Sequence, residues 1–195
     1  SNVNSKWGSF RFLTSVRKLR KLPGSSRSVL SVCSDGNRYV VKPSWNPRLA
    51  LNEAWGHLIM AELKLPQPEV RVVYAGTQES APPEESDLVS RGRAGADFHF
   101  GSRVPVGTIY DFLPRCVLQT QPGLEVFWGW LVVDKWMGQV DSRQCIFTRS
   151  KDGAFQPMAI DNGDMLGGRN WNYHPSSSSG LYFDCCVYDR LQSLR

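Results

Sequence analysis

The chain has 195 residues, 41% hydrophobic and 21% charged, ordinary values for a globular protein with room for one compact domain and its core. A formal net charge of +5 admits an anionic ligand such as a nucleotide or a phosphorylated partner and gives no ground for choosing nucleic acid. No run of about 18 apolar residues occurs and the N-terminus lacks a signal-type apolar stretch, so a soluble, cytoplasmic protein with no membrane partner is expected.

The five cysteines are odd in number, lack CxxC spacing and have no histidine cluster nearby, so they read as reduced thiols rather than a disulfide framework or zinc site. From Phe10 to Leu22 apolar residues mix with Arg17, Lys18, Arg20 and Lys21, the pattern of a terminal strand or helix with a solvated basic face. Pro23 to Ser28 is small, polar and turn-prone. It leads into Val29 to Cys33, an Asp35-Gly36 turn and Arg38 to Lys42, which together read as a β-hairpin. Centring the turn at Asp35-Gly36 places Lys42 opposite Val29, one residue past the loop. The backbone N–H groups of Gly24, Ser25, Ser26, Arg27 and Ser28, with the serine hydroxyls and the lysine, make chemical sense as a phosphate cradle. The GxxxxGK[ST] spacing is absent, and a plain turn is the alternative.

Asn46 and Pro47 start a helix, an N-cap followed by a proline at the first helical position. Leu51, Trp55, Leu58, Ile59 and Leu65 form its apolar stripe, and Leu63 to Pro68 ends it. Glu53 shares a poorly hydrated face with Ala50, His57 and Met60. A carboxylate there calls for a cation, with Lys42 nearest in sequence; a snorkelling surface glutamate is the other reading. Val70 to Ala75 is a strand, Gly76 to Ala96 a polar loop, and Asp97 to Arg103 a linker. Phe127, Trp130, Leu131, Val133, Asp134 and Met137 predict a buried helix ending near Gly138, with Asp134 anchoring the following loop.

That loop carries Asp141, Ser142, Arg143 and Gln144. Cys145 to Thr148 and Phe155 to Ile160 are two apolar runs joined by a tip with Asp152-Gly153, a second hairpin, and Asp161, Asn162 and Gly163 follow. A turn centred between Asp152 and Gly153 pairs Cys145 with Ile160 and Gln144 with Asp161, with Asp141 just beyond. Two carboxylates and an amide oxygen around one point suit a hard, oxygen-liganded ion such as Mg²⁺ and a hydroxyl nucleophile. Ser176 to Ser179 reads as a surface loop.

Taken in order, Tyr39 to Lys42, Asn52-Glu53, Asp134 to Trp136, Asp141 to Gln144 and Ala159 to Gly163 resemble the HipA-like kinases, the compact bacterial form of the protein-kinase-like fold, and more distantly the type II phosphatidylinositol 4-kinases. The resemblance runs from about Leu22 to Trp171. It implies an α+β, compact two-lobed protein-kinase-like fold in a single domain, residues 1–195. A small β-rich N-lobe with one helix would occupy about 10–97, a hinge 98–103, and a minimal, mainly helical C-lobe 104–195. By the same resemblance Lys42 grips the phosphates of ATP and pairs with Glu53, and Gly24 to Ser28 cover the phosphates. Asp141 is the catalytic aspartate, Asp161 binds Mg²⁺ or Mn²⁺, and the acceptor is a hydroxyl of a protein Ser/Thr or a small molecule. Many kinases of this fold carry an asparagine metal ligand five residues after the catalytic aspartate; here that position is Ile146, and Gln144 is the substitute. Arg143 either contacts phosphate or holds the loop. Ile146 and the little chain after Asp161 favour the alternative of a nucleotide-binding pseudokinase or interaction module. A nucleic-acid-binding domain rests on net charge alone.

Overall fold

Short runs bounded by turn residues form the strands of the first part of the chain. The computed structural model describes residues 13–23, 27–42, 46–75 and 98–194; the expected Gly76 to Ala96 loop lies outside them, as do Gly24, Ser25 and Ser26. Two units make up the chain, one of residues 1–45 and 69–104 and one of residues 46–68 and 105–195.

The first unit holds β1 (Leu13–Lys21), β2 (Val29–Cys33), β3 (Arg38–Lys42), β4 (Val70–Tyr74) and β5 (Phe98–Arg103). They form a closed barrel in the order β1-β2-β3-β5-β4, sealed by a short parallel pairing of Leu13 with Val73 and Thr14 with Tyr74. Cys33, Tyr39, Val41 and Val73 fill the interior, with Leu13 packed against them. The span 98–103, read from sequence as a hinge, is β5, hydrogen-bonded between β3 and β4.

The second unit holds three α-helices, α1 (Pro47–Glu62), α2 (Arg115–Leu118) and α3 (Val126–Trp136), and a sheet of β6 (Ile109–Tyr110), β7 (Gln144–Arg149) and β8 (Phe155–Ile160) in the order β6-β7-β8. Phe127, Trp130 and Val133 of α3 meet Phe147 and Ala159 of the hairpin, Met60 of α1, Met165 and Tyr182 in one core. Phe127 sits edge-on to Trp130 with ring centroids 4.8 Å apart. As the Asn-Pro start predicts, the Asn46 side chain accepts a hydrogen bond from Arg48 N–H at 3.0 Å and Pro47 opens α1. At the other end of the core, α3 stops because Gly138 takes φ +62° after it.

This architecture overturns the expected two-lobed kinase-like fold with a mainly helical C-lobe. The barrel is closed and contains no helix among its described residues, α1 belongs to the other unit, and that unit is built around a sheet. After Ile160 the described residues make only 3-10 segments, Gly168–Asn170 and Cys185–Leu194. Gly163, Gly167, Gly168, Pro175, the serines from Ser176 to Ser179 and Gly180 crowd this stretch, and each disfavours a helix interior.

Both hairpins form where expected, and both registers differ by one residue. Val29 pairs with Val41 rather than Lys42, and Cys145 pairs with Ala159 rather than Ile160. The cause is shared. Cys33 N–H bonds Asn37 O at 3.0 Å, and Ser150 N–H bonds Ala154 O at 2.8 Å. Each tip is thus a three-residue loop, Ser34-Asp35-Gly36 or Lys151-Asp152-Gly153, with the glycine left-handed at φ +76° or +89°. Asp-Gly here closes a type I turn with a bulge instead of a two-residue turn.

The face that α1 buries is also not the one its apolar residues suggest. Asn52, Glu53, Gly56 and Met60 are buried, whereas Leu51, Trp55 and Leu58 are 45%, 54% and 41% exposed. Among the described residues no helix is long and apolar enough to cross a membrane.

Burial separates the thiols. It pushes Cys145 up to about 12 and Cys33 to about 11, and Cys186, with Asp184 adding to the effect, also to about 11, while Cys116 and Cys185 are exposed. Because the thiolate is the reactive form, alkylation at about pH 8 should label Cys116 and Cys185 in the folded protein and all five in denaturant, read by peptide mass spectrometry.

Candidate functional site

The centre of the second unit is a buried ion pair. Asp134, in the last turn of α3, is 0% exposed and Arg143, just ahead of β7, is 2% exposed. Arg143 Nε donates to Asp134 Oδ2 at 2.8 Å and Nη2 to Asp134 Oδ1, a fork-on-fork pair. The third nitrogen, Nη1, donates to Ile160 O at 2.9 Å, to Asn162 Oδ1 at 3.0 Å and to Asp161 O at 3.4 Å. One guanidinium thereby fastens the end of α3 to the turn that leaves β8. Burial pushes the Asp134 carboxyl above its ordinary range, and the hydrogen bonds and charge of Arg143 pull it back part of the way. Of its two sequence-derived roles, contact with phosphate or support of the loop, Arg143 shows the geometry of the second.

Further bonds lay the 139–143 segment beside 160–164. Val140 N–H bonds Asp164 O at 3.0 Å, and Gln139 Nε2 donates to Asp161 O at 3.5 Å. From behind, the serine-rich stretch supports the same loop. Buried Ser179 donates from Oγ to Val140 O at 2.9 Å, Gly180 N–H bonds Asp141 O at 2.8 Å, and Arg143 N–H bonds Leu181 O at 3.0 Å. Ser176, Ser177 and Ser178 are at the surface as expected, but Ser179 is not. Asp141 itself is exposed, and its Oδ1 accepts the Ser142 N–H at 2.7 Å.

Asp161 is half-buried in the left-handed region, φ +61°, a conformation that aspartate tolerates better than most residues and that concentrates at functional sites. Next to it, the buried carboxylate of Glu53 accepts the Asn162 N–H on Oε2 at 3.1 Å. A Cβ placed on Gly163 would stand 3.3 Å from Glu53 Oε1 and 3.5 Å from Asp161 Oδ1, so both carboxylates border that position. Asn52, one residue earlier on α1, donates from Nδ2 to Gly163 O at 2.7 Å and Met165 O at 2.6 Å and accepts from Trp171 Nε1 at 3.0 Å. The 161–168 turn is therefore held from α1 on one side and from Arg143 on the other.

The remaining sequence-derived site residues divide between the units. Lys42 ends β3 in the barrel unit, whereas Glu53 lies in the second unit. Arg27 is exposed, Ser28 is buried, and Ser28 O accepts the Leu22 N–H at 2.8 Å, closing the connection between β1 and β2. Gln144 is exposed and pairs with Ile160, one residue short of Asp161, a consequence of the three-residue loop at the hairpin tip. Ile146, half-buried opposite Met158, offers no ligand atom. Sequence reasoning assigned no role to Gln139, Asn162, Ser179 or Gly180. For Asn52 a signal existed, since it recurs with Gly56 and Met60 at helical spacing.

Among the described residues no three His, Cys, Asp or Glu side chains form a metal-holding group. An ion such as Mg²⁺ that shares its shell with phosphate oxygens and water needs only one or two protein carboxylates, and the oxygen chemistry of Asp161 and Glu53 fits it. No protein-family model matches the sequence, and no curated protein matches it either.

Removing either half of the central pair should be costly because the other charge is left buried: Asp134→Asn and Arg143→Leu should each lower stability by about 3–5 kcal/mol, measured by urea unfolding. Gly56 gives a second test. A Cβ there would meet Asn162 Cβ and Met165 Sδ, both at 2.6 Å. Gly56→Ala should therefore destabilise by about 1–3 kcal/mol, where an open helix position would gain up to about 1 kcal/mol; thermal unfolding reads the sign.

Proposed function

We propose that the second unit carries the chemical centre of an ATP- and Mg²⁺-dependent phosphotransferase that acts on a hydroxyl acceptor. One observation carries this reading: Arg143 and Glu53 together fix the 141–143 loop and the Asp161–Gly163 turn, so that an exposed carboxylate, Asp141, stands on a loop bonded directly to the segment bearing Asp161. The site, and not the fold class, supports this function. The order of Lys42, Glu53, Asp141 and Asp161, which resembles that of HipA-like kinases, is consistent with it.

In this reading Asp141 accepts the proton of the acceptor hydroxyl, or orients that hydroxyl by a hydrogen bond. Gly180 and Ser142 hold its loop, so the carboxylate needs little rearrangement before reaction. Asp161, with Glu53 beside it, would hold the divalent ion, which when bound supplies charge neutralisation for the phosphate oxygens. Asn52 and Arg143 act through these groups by fixing the turn. Retained nucleotide binding without turnover is the second reading, favoured by the apolar Ile146.

At ATP about a hundredfold above its dissociation constant, binding adds ~2.7 kcal/mol, or roughly 5–10 °C of melting temperature for a domain of this size. The expected result is a shift of that order that needs Mg²⁺ and is lost in Asp161→Asn, together with ATP turnover that Asp141→Ala abolishes. Asparagine is the better replacement because it keeps the left-handed backbone at little strain. A metal-dependent shift with no turnover in the wild type would support the second reading; no shift with ATP and Mg²⁺ would overturn both.

A further inference from the structure

Strand β1 leaves the barrel's interior partway along its length. Leu13 to Ser15 are half-buried, but every residue from Val16 to Lys21 is exposed. On one edge this exposed half pairs with β2, from Arg17 opposite Val32 to Lys21 opposite Val29. The other edge pairs with β4 only at Leu13 and Thr14. Beyond Thr14, among the described residues, no strand pairs with that side of β1, and the six residues from Val16 to Lys21 are all exposed.

Four of the six exposed residues are cations: Arg17, Lys18, Arg20 and Lys21. None of them takes part in an ion pair or side-chain hydrogen bond among the described residues. The pairing register shifts between Ser15 and Arg17 and again between Lys18 and Arg20, so Val16 and Leu19 are the extra residues of two bulges. The cations thus come as two adjacent pairs. Neighbours along a strand point to opposite faces, so each pair puts one positive charge above the sheet and one below.

We propose that this edge is a docking strand for an extended acidic peptide, which adds alongside β1 as a further strand and sets Asp or Glu side chains against the cations on both faces. Strand addition supplies the backbone pairing, and alternate side chains supply the selectivity. The distribution of charge favours this partner over other polyanions. A bilayer or the phosphate backbone of a duplex meets one face of the strand and leaves half the cations unused. Single-stranded nucleic acid binds on aromatic platforms, and β1 has no aromatic residue. The cations and bulges also repel a second copy of the same edge, which restricts the site to chains of opposite charge. This inference is independent of the proposed phosphotransferase chemistry.

The test is fluorescence anisotropy with a labelled short peptide of Glu-Glu-Thr repeats, which presents carboxylates on both faces of an extended strand, its backbone N-methylated counterpart, a single-stranded oligonucleotide, and phosphatidylcholine vesicles containing phosphatidylserine. The wild-type protein should bind the first peptide with salt-sensitive affinity and bind the N-methylated peptide at least about tenfold more weakly. The combined Arg17→Gln, Lys18→Gln, Arg20→Gln and Lys21→Gln variant should weaken peptide binding at least about tenfold with its thermal unfolding unchanged. Absent peptide binding, equal binding of the N-methylated peptide, equal binding by the variant, or tighter binding of the oligonucleotide or the vesicles would each overturn the proposal. Should the variant fail to fold, the two peptides compared on the wild type still decide.

Discussion

A guanidinium cut off from water must find a carboxylate for its charge and acceptors for its protons, and Arg143 finds them on two separate pieces of chain, the end of α3 and the stretch from Ile160 to Asn162. Asp134 comes from the end of α3, the carbonyls of Ile160 and Asp161 from the exit of β8, and the Asn162 side chain from the turn beyond. Buried pairs of this kind gain little over a well-packed apolar alternative, because both charges lose their hydration. What the pair contributes is geometry. A planar fork fixes direction as well as distance, which a lysine ammonium would not. That fork ties the loop bearing Asp141 to the turn bearing Asp161.

From the opposite side, α1 works in a similar way. Helices usually face a core with their apolar stripe, yet this one turns Asn52 and Glu53 inward and uses Gly56 to come close enough for both to reach the 161–168 turn. Hydrogen bonds offset part of the cost of burying these two polar side chains: Asn52 is bonded through both its amide nitrogen and oxygen, and Glu53 Oε2 takes a backbone N–H. Rigidity around Asp161 therefore comes from hydrogen bonds with direction. Such bonds hold a left-handed backbone that packing alone would leave free to relax.

Local chemistry was legible in the sequence. The cap at Asn46, the end of α1 near Leu63, α3 with its stop at Gly138, and both hairpins were readable because each depends on residues a few positions apart. The hairpin registers were not. Asp-Gly serves two-residue and three-residue loops alike, and only the hydrogen bonds from Cys33 to Asn37 and from Ser150 to Ala154 distinguish them. That difference pairs Gln144 with Ile160 rather than with Asp161. Within the site, Asp134, Asp141, Arg143 and Asp161 stood out as charges beside apolar runs, whereas Gln139, Ser179 and Gly180 did not. Their roles arise from long-range bonds to backbone atoms, which leave no mark in local composition. The barrel's closure through two residue pairs and the sheet-centred second unit, which replace the expected kinase-like lobes, are likewise products of tertiary pairing.

The inward face of α1 has a consequence for the order in which the protein is made. Asn52 and its partner Gly163 are 111 residues apart, and a ribosome adding about 5–20 residues per second needs roughly 5–20 s to cover that distance. Throughout that interval the helix has no turn to hold, and the barrel residues 69–104 are synthesised in between. A helix whose inward face were apolar would spend the wait as a sticky surface. Here water can serve Asn52 and Glu53 until Gly163 arrives, so the nascent chain carries its late-pairing surface in a form that tolerates delay.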